Sequence, residues 1–286
     1  MTDMSSTSGG PTLAGTISIF RSDVLSIHSY MSPEDGEYVR SHIIETRDSL
    51  VIIDVQLLRR YAREVRAYAD QLGKPIARVI LTHLHPDHWF GEEAFADLPL
   101  YALPEVIAEM EAIGDWWIGF KKAEWGDQIL DAKVVPPNVL QEGRETLGGV
   151  EFVFTKVSGA EATHTLVVEL PQVKTLIAQD LVYNQIYLFV GELHGPDRTI
   201  TCFDGWDAAL ARLEQNDYAL VLPGHGAPTD AHIFPELRAY LRAVRQIHAE
   251  ATGAADFKQR VMDAYPHYQL PLLLDFSVAT LYGPPV

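Results

Sequence analysis

The chain has 286 residues, 47% of them hydrophobic and 21% charged, which suits one large α/β domain or two small ones in an ordinary globular protein. Its 39 acidic residues against 22 basic ones give a formal net charge of −17, a balance that repels phosphate backbones and anionic bilayers. A single cysteine, Cys202, excludes both an intrachain disulfide and a thiolate metal site.

The first fifteen residues are rich in Ser, Thr and Gly and read as a disordered lead-in without the basic and apolar blocks of a signal peptide. Two hairpins follow, Thr16–Phe20 with Val24–His28 and Ser41–Thr46 with Leu50–Val55. Residues Leu57–Gly73 form a helix, since Leu57, Leu58, Tyr61, Val65, Tyr68, Ala69 and Leu72 recur at steps of three and four and Gly73 ends the run. An apolar strand, Ala77–Thr82, precedes a second helix starting near Asp87, and Leu100–Ala102 is a short strand. The segment Pro104–Gln128 reads as two helical stretches carrying Trp116, Trp117, Phe120 and Trp125. Strand patterning resumes at Val134–Val135, Leu147–Gly148 and Val150–Lys156. A hairpin then joins Thr165–Leu170 to Thr175–Ala178 around Pro171-Gln172. Helix Phe203–Asn216, strand Ala219–Leu222 and helix Pro235–Ala251 complete a second half resembling the first, before a helix near Phe257–Ala264 and a proline-broken tail. The pattern predicts one α/β domain over residues 16–252, a four-layer αβ/βα sandwich, with residues 253–286 packed on it as an extension. No apolar run approaches the roughly 18 residues that span a bilayer, so a cytoplasmic protein is expected.

Four potential metal ligands crowd into Val79-Ile-Leu-Thr-His-Leu-His-Pro-Asp-His88 directly after an apolar strand. His83 and His85 are two apart, so extended backbone lets both side chains point the same way. Asp87 and His88 fall in the following turn, which can aim them at a second point. A lone histidine would be read as surface or core, but four potential ligands in six positions at a strand end would not. Imidazole with carboxylate suits zinc, iron or manganese.

The segment Thr82-His-Leu-His-Pro-Asp-His88 resembles the signature of the metallo-β-lactamase superfamily. Three other segments resemble it too: Leu50-Val-Ile-Ile-Asp54, Ala178-Gln-Asp-Leu181 and Pro223-Gly-His-Gly226. The resemblance implies a two-metal site, one ion on His83, His85 and a third side chain, the other on Asp87, His88 and His225. Asp180 would bridge them and Asp54 would support the loop from behind. It implies further that a water between the metals loses its proton near neutral pH and attacks the substrate, with Asp87 orienting it. Zinc is the first expectation for both ions, with iron or manganese as alternatives. Two departures stand out. The third-ligand segment is Ser158-Gly-Ala-Glu-Ala-Thr-His164, which resembles the alkylsulfatase branch and favours Glu161 over His164 as the ligand. Gln56 stands where relatives often have a glycine turn.

The resemblance is specific for fold and open about substrate. A hydrolase acting on an ester, lactone, amide or sulfate ester of a small apolar or amphipathic molecule is the first expectation, and a homo-oligomer is compatible with it. An iron-dependent oxidoreductase of persulfide dioxygenase type is the alternative. Trp116, Trp117, Tyr183, Asn184 and His194 are candidate substrate contacts, with core packing as the plainer reading for the tryptophans. Cys202 reads as a small core residue. His28, His42, His232, His248 and His267 have no ligand spacing.

Overall fold

A computed structural model describes residues 12–194 and 197–283, without the side chains of 193–198. The sequence begins to organise where alternation sets in. Strands β1 (Thr16–Arg21), β2 (Ser26–Met31), β3 (Arg40–Glu45) and β4 (Leu50–Ile53) form an antiparallel run. Helix α1 (Arg59–Gln71) then crosses over to β5 (Ile76–Leu81), which pairs parallel to β4. Tyr61, Ala62, Val65 and Ala69 are the buried face of α1, as the periodicity requires. Helix α2 (Pro86–Trp89) is a single turn that continues as 3-10 helix to Phe95. Strands β6 (Leu100–Ala102) and β7 (Asn138–Val139) complete a seven-stranded sheet.

Between β6 and β7 runs α3 (Pro104–Trp125), one continuous helix where the sequence pattern suggests two. No proline follows the Pro104 at its start, and Gly114 lies on its buried face, so nothing interrupts it. Residues Val134–Val135 are not a strand. The consecutive prolines 136 and 137 lack the N–H a ladder needs, and pairing begins at Asn138.

The second sheet, of five strands, is built from β8 (Gly143–Leu147), β9 (Val150–Ser158), β10 (His164–Leu170), β11 (Thr175–Asn184) and β14 (Leu220–Gly226). Both β11 and β14 run past their predicted ends, and the added residues carry Asp180 and His225. Strands β12 (Gly191–His194) and β13 (Asp197–Ile200) form a separate ribbon. Helices α4 (Phe203–Leu213), α5 (Ile233–Glu250), α6 (Ala254–Ala264) and α7 (Pro271–Tyr282) follow. The tail expected to be proline-broken is therefore helical, since Pro271 occupies a first-turn position, where its missing N–H costs nothing.

Alternation divides the second sheet between two cores. On β10, Leu166, Val168 and Leu170 face the first sheet and α1, whereas Val167 joins the core made with α4 to α7. This is helix, sheet, sheet, helix, the four-layer sandwich. Among the described residues, no helix is long and apolar enough to cross a membrane. Residues 1–11 of the expected lead-in lie outside the described residues. Cys202 is exposed rather than in the core, because it immediately precedes α4 at the surface.

Candidate metal centre

The site forms where the parallel strands end. Strand β4 delivers Asp54 in a left-handed conformation, φ 57°. Strand β5 delivers the loop Thr82–His88, and the parallel pair β11 and β14 delivers Asp180 and His225 from the facing sheet. The loop between β9 and β10 supplies Glu161. A hydrogen bond from Leu166 N to Thr82 O (2.9 Å) ties the loop of one sheet to a strand of the other.

Beside a smaller set of Asp54, His83 and His88, two four-membered groups of potential ligand atoms result, each within 4.8 Å of one another: His83, His85, Glu161 and Asp180, and Asp87, His88, Asp180 and His225. Asp180 belongs to both. All seven side chains are buried, and Glu161 and His83 are wholly inaccessible.

The imidazoles are aimed from behind. His88 Nδ1 bonds to Asp54 Oδ2 at 2.7 Å, leaving Nε2 to face Asp87 and Asp180. The Thr82 hydroxyl donates to Asp54 Oδ2 (2.7 Å) and lies 3.0 Å from His83 Nδ1, so it can accept the His83 proton and leave Nε2 inward. His225 Nδ1 donates to the Glu37 carbonyl at 2.7 Å, and its Nε2 lies 3.1 Å from Asp87. Asp54 also accepts from the Gln179 side chain, whose own carbonyl faces His42 Nε2 at 3.1 Å. His42, which has no ligand spacing, thus stands behind Asp54 through Gln179. Gly224 is required by packing: a Cβ there would lie 1.8 Å from Asp180 Oδ1.

Three carboxylates face four imidazoles in a dry space, and the electrostatics demand positive charge. Burial pushes the His85 and His225 imidazoles down, but Glu161 and Asp180, respectively, together with Asp87 outweigh it and lift them to about 9 and about 10. Burial works against ionisation of Asp87 and Asp180, yet His88 and His225 hold both well below the usual carboxylate range. A bound cation would replace the imidazole protons. The buried His83 Nε2, His88 Nε2, Glu161 Oε2 and Asp180 Oδ1 have no hydrogen-bond partner, so the donor set fits divalent metal.

His164 lies elsewhere. It is half-buried, and its Nδ1 bonds to Glu109 on α3 at 2.7 Å. Tyr183 sits beside the centre: its hydroxyl lies 2.9 Å from Asp180 Oδ2 and 3.2 Å from Glu161 Oε1, and its ring stacks on His225. Asn184 turns away and donates to the Ala227 carbonyl. The His194 side chain lies outside the described residues.

A half-open pocket of about 690 Å³, counting the space shared with solvent, opens onto the centre. His85, Asp87, Asp180, Tyr183 and His225 form its floor, with Trp117 and Phe120 of α3 and Phe189 on its walls. Trp116 is not in the lining; it stacks on Phe120 at 5.0 Å. Trp125 packs against the core. Leu273, Phe276, Ala279 and Thr280 of α7 close another side. Glu37 and Lys121 also line the pocket. Neither Glu37 nor the α7 residues had a signal in the sequence. Lys121 alone left a trace, as a charge at the spacing of the buried stripe of α3.

Residues 35–225 match the family model described as the metallo-beta-lactamase superfamily. The alkyl/aryl-sulfatase of Saccharomyces cerevisiae is 28% identical over 187 residues, covering 51% of this chain and 28% of that protein. The linear primary-alkylsulfatase of a Pseudomonas species is 24% identical over 247 residues, covering 72% of this chain and 45% of that protein. The chain thus spans less than half the length of either relative. Among solved structures, a metallo-beta-lactamase from Pontibacter korlensis superposes with a TM-score of 0.59 at 22% identity, over 79% of this chain and 99% of that one. The DIM-1 metallo-beta-lactamase superposes with a TM-score of 0.57 at 19% identity, over 81% and 99%. These likenesses establish the fold.

Proposed function

Since the chain belongs to the metallo-β-lactamase superfamily, we propose that it is a metal-dependent hydrolase of sulfate or carboxylic esters with an apolar body. The observation that carries this reading is the sharing of Asp180 between two buried ligand groups. His83, His85 and Glu161 would hold one divalent cation, Asp87, His88 and His225 the other, and Asp180 both. Zinc suits the four imidazoles best, and the three carboxylates leave room for manganese or iron. When bound, the cations supply an activated water and Lewis acidity toward the scissile group.

The chain's own residues supply orientation and proton handling. Asp87 sits on the pocket floor, 3.1 Å from His225, and its carboxylate, held well below the usual range, orients the attacking water as a hydrogen-bond acceptor. Burial and the neighbouring Asp180 and Glu161 keep the Tyr183 hydroxyl protonated, so it donates to Asp180 and holds the shared carboxylate in place. Trp117, Phe120 and Phe189 exclude water and accept the apolar part of the substrate. With Glu161 beside Asp87 and Asp180, the chain would bring three carboxylates to the two divalent cations it would hold. The apolar pocket and the names of the two sulfatase relatives support the substrate class.

The test is metal analysis of the purified protein, followed by a panel of alkyl sulfate, aryl sulfate, carboxylic ester, lactone, β-lactam, thioester and phosphodiester substrates. Metal-dependent turnover of a sulfate or carboxylic ester, abolished by chelator, is expected. Full activity in verified metal-free protein would overturn the reading.

A further inference from the structure

Lys121 occupies an anomalous place. The inward stripe of α3 runs Val106, Met110, Gly114, Trp117, and the next position is Lys121, only 7% exposed. A buried ammonium costs several kcal/mol unless closely paired. Its partner, Glu37, is also buried but stands 3.6 Å away, beyond the roughly 2.7–2.9 Å of a charge-assisted hydrogen bond. Glu37 Oε1 has no hydrogen-bond partner, and the ammonium lies 4.1 Å from the centre of the Phe276 ring. The pair is therefore a loose ion pair that leaves the N–H donors of the ammonium available. Lys121 is the one lysine or arginine lining the pocket among the described residues.

The pair also stands close to the centre. The Glu37 carbonyl accepts the 2.7 Å hydrogen bond from His225, which puts Glu37 and Lys121 on the His225 rim. The aromatic wall of Trp117 and Phe189 stands against His85 at the other rim. The chain carries a charge of −17, and the pocket floor adds two carboxylates, so an anion entering here needs a local cation.

We infer that Lys121 is the anion-recognition residue of the pocket: its ammonium takes the negatively charged group of an amphipathic ligand, Glu37 being the partner it leaves. The apolar tail lies along Trp117, Phe120 and Phe189. That this ligand is a substrate rests on the hydrolase reading above; that it binds does not.

The test is calorimetric titration of the metal-loaded protein with octane-1-sulfonate, which has no sulfate ester to hydrolyse, and with 1-octanol of equal chain length. Lys121→Met should weaken sulfonate binding about tenfold or more, equivalent to about 1.4 kcal/mol, and affect octanol far less. Lys121→Arg should restore most of the loss, and Glu37→Gln should tighten sulfonate binding by freeing the ammonium. Metal content and melting temperature confirm that each variant is intact. Unchanged sulfonate affinity in Lys121→Met, or equal losses for both ligands, overturns the inference, as does a Glu37→Gln variant with no gain. Lys121-dependent sulfonate binding in a protein that hydrolyses no ester would uphold this inference and sink the proposed function. Ester turnover with Lys121-independent binding would do the reverse.

Discussion

Glu161, itself fully buried, sets Oε1 3.3 Å from His85 Nδ1, and the other oxygen of the same carboxylate meets no hydrogen-bond donor. A buried carboxylate left half-satisfied beside an imidazole is poised for a cation. Glu161→Ala should therefore lose the ion shared with His83 and His85, about half of the bound metal, while the ion on His88 and His225 stays. His164→Ala should keep both, since His164 is engaged with Glu109. Metal counting on the two variants decides it, and loss from the His164 variant alone would reverse the assignment.

Gly224 offers a sharper probe of the shared carboxylate. An added Cβ would meet Asp180 Oδ1 at 1.8 Å, so Gly224→Ala must displace the carboxylate or the β14 backbone. It should lower metal affinity about 10–100-fold, as loss of an orienting contact does elsewhere, and Asp180→Ala should be worse. Chelator competition titrations measure both. A Gly224→Ala variant with wild-type affinity would show that Asp180 does not hold metal in this position.

The two tryptophans of α3 should separate. Trp117 is buried, lines the pocket and meets His85 edge-on at 6.4 Å. Trp117→Ala should cost roughly 3–5 kcal/mol of stability and also raise KM for substrates with long apolar groups. Trp116→Ala, which removes ring contacts to Phe120 and Trp117 but no lining of the pocket, should cost less and change KM little. Denaturant melts and a chain-length series check this; equal kinetic effects would place Trp116 at the pocket as well.

His42 should leave a signature in acid. Burial, reinforced by the nearby Arg40 charge, pushes its imidazole down to about 3, against an ordinary value of 6.5. Between those values the unfolded chain binds a proton that the folded chain refuses. Stability contributed by neutral His42 is therefore complete above 6.5 and falls as pH drops toward 3. The slope from this group approaches about 1.4 kcal/mol per pH unit. His42→Gln keeps a donor for Gln179 and should flatten the acid limb. Urea unfolding of chelator-treated wild type and variant between about pH 4.5 and 6 gives the comparison, with metal release removed as a competing cause. Parallel slopes would mean that another group titrates.

Local spacing in the sequence already contains four of the candidate ligands and much of the scaffold that carries them. His83, His85, Asp87 and His88 lie within six residues after an apolar strand, and the periodicity of residues 57–72 identifies the buried face of α1. Such patterns survive in one dimension because a strand end and a helix face are set by neighbours at fixed short intervals. What lies beyond such intervals was decided only by the tertiary structure. The hairpin pattern ends at Ala178, but β11 continues to Asn184 because β14 runs parallel beside it and supplies the partners that keep it extended. The tail beyond Pro266 holds a helix because α7 packs on α6 and on the β12–β13 ribbon, which places Leu273 and Phe276 at the pocket.

The sequence favoured Glu161 over His164 through its resemblance to the alkylsulfatase branch, but spacing alone did not separate the two. They are close neighbours in the chain, and only the turn before β10 sends one to the centre and the other to Glu109 on α3. Glu37 and Lys121 are far apart in the sequence. Their meeting beside His225 depends on how α3 crosses the sheet, because long-range packing, rather than any local preference of either residue, brings the two charges together.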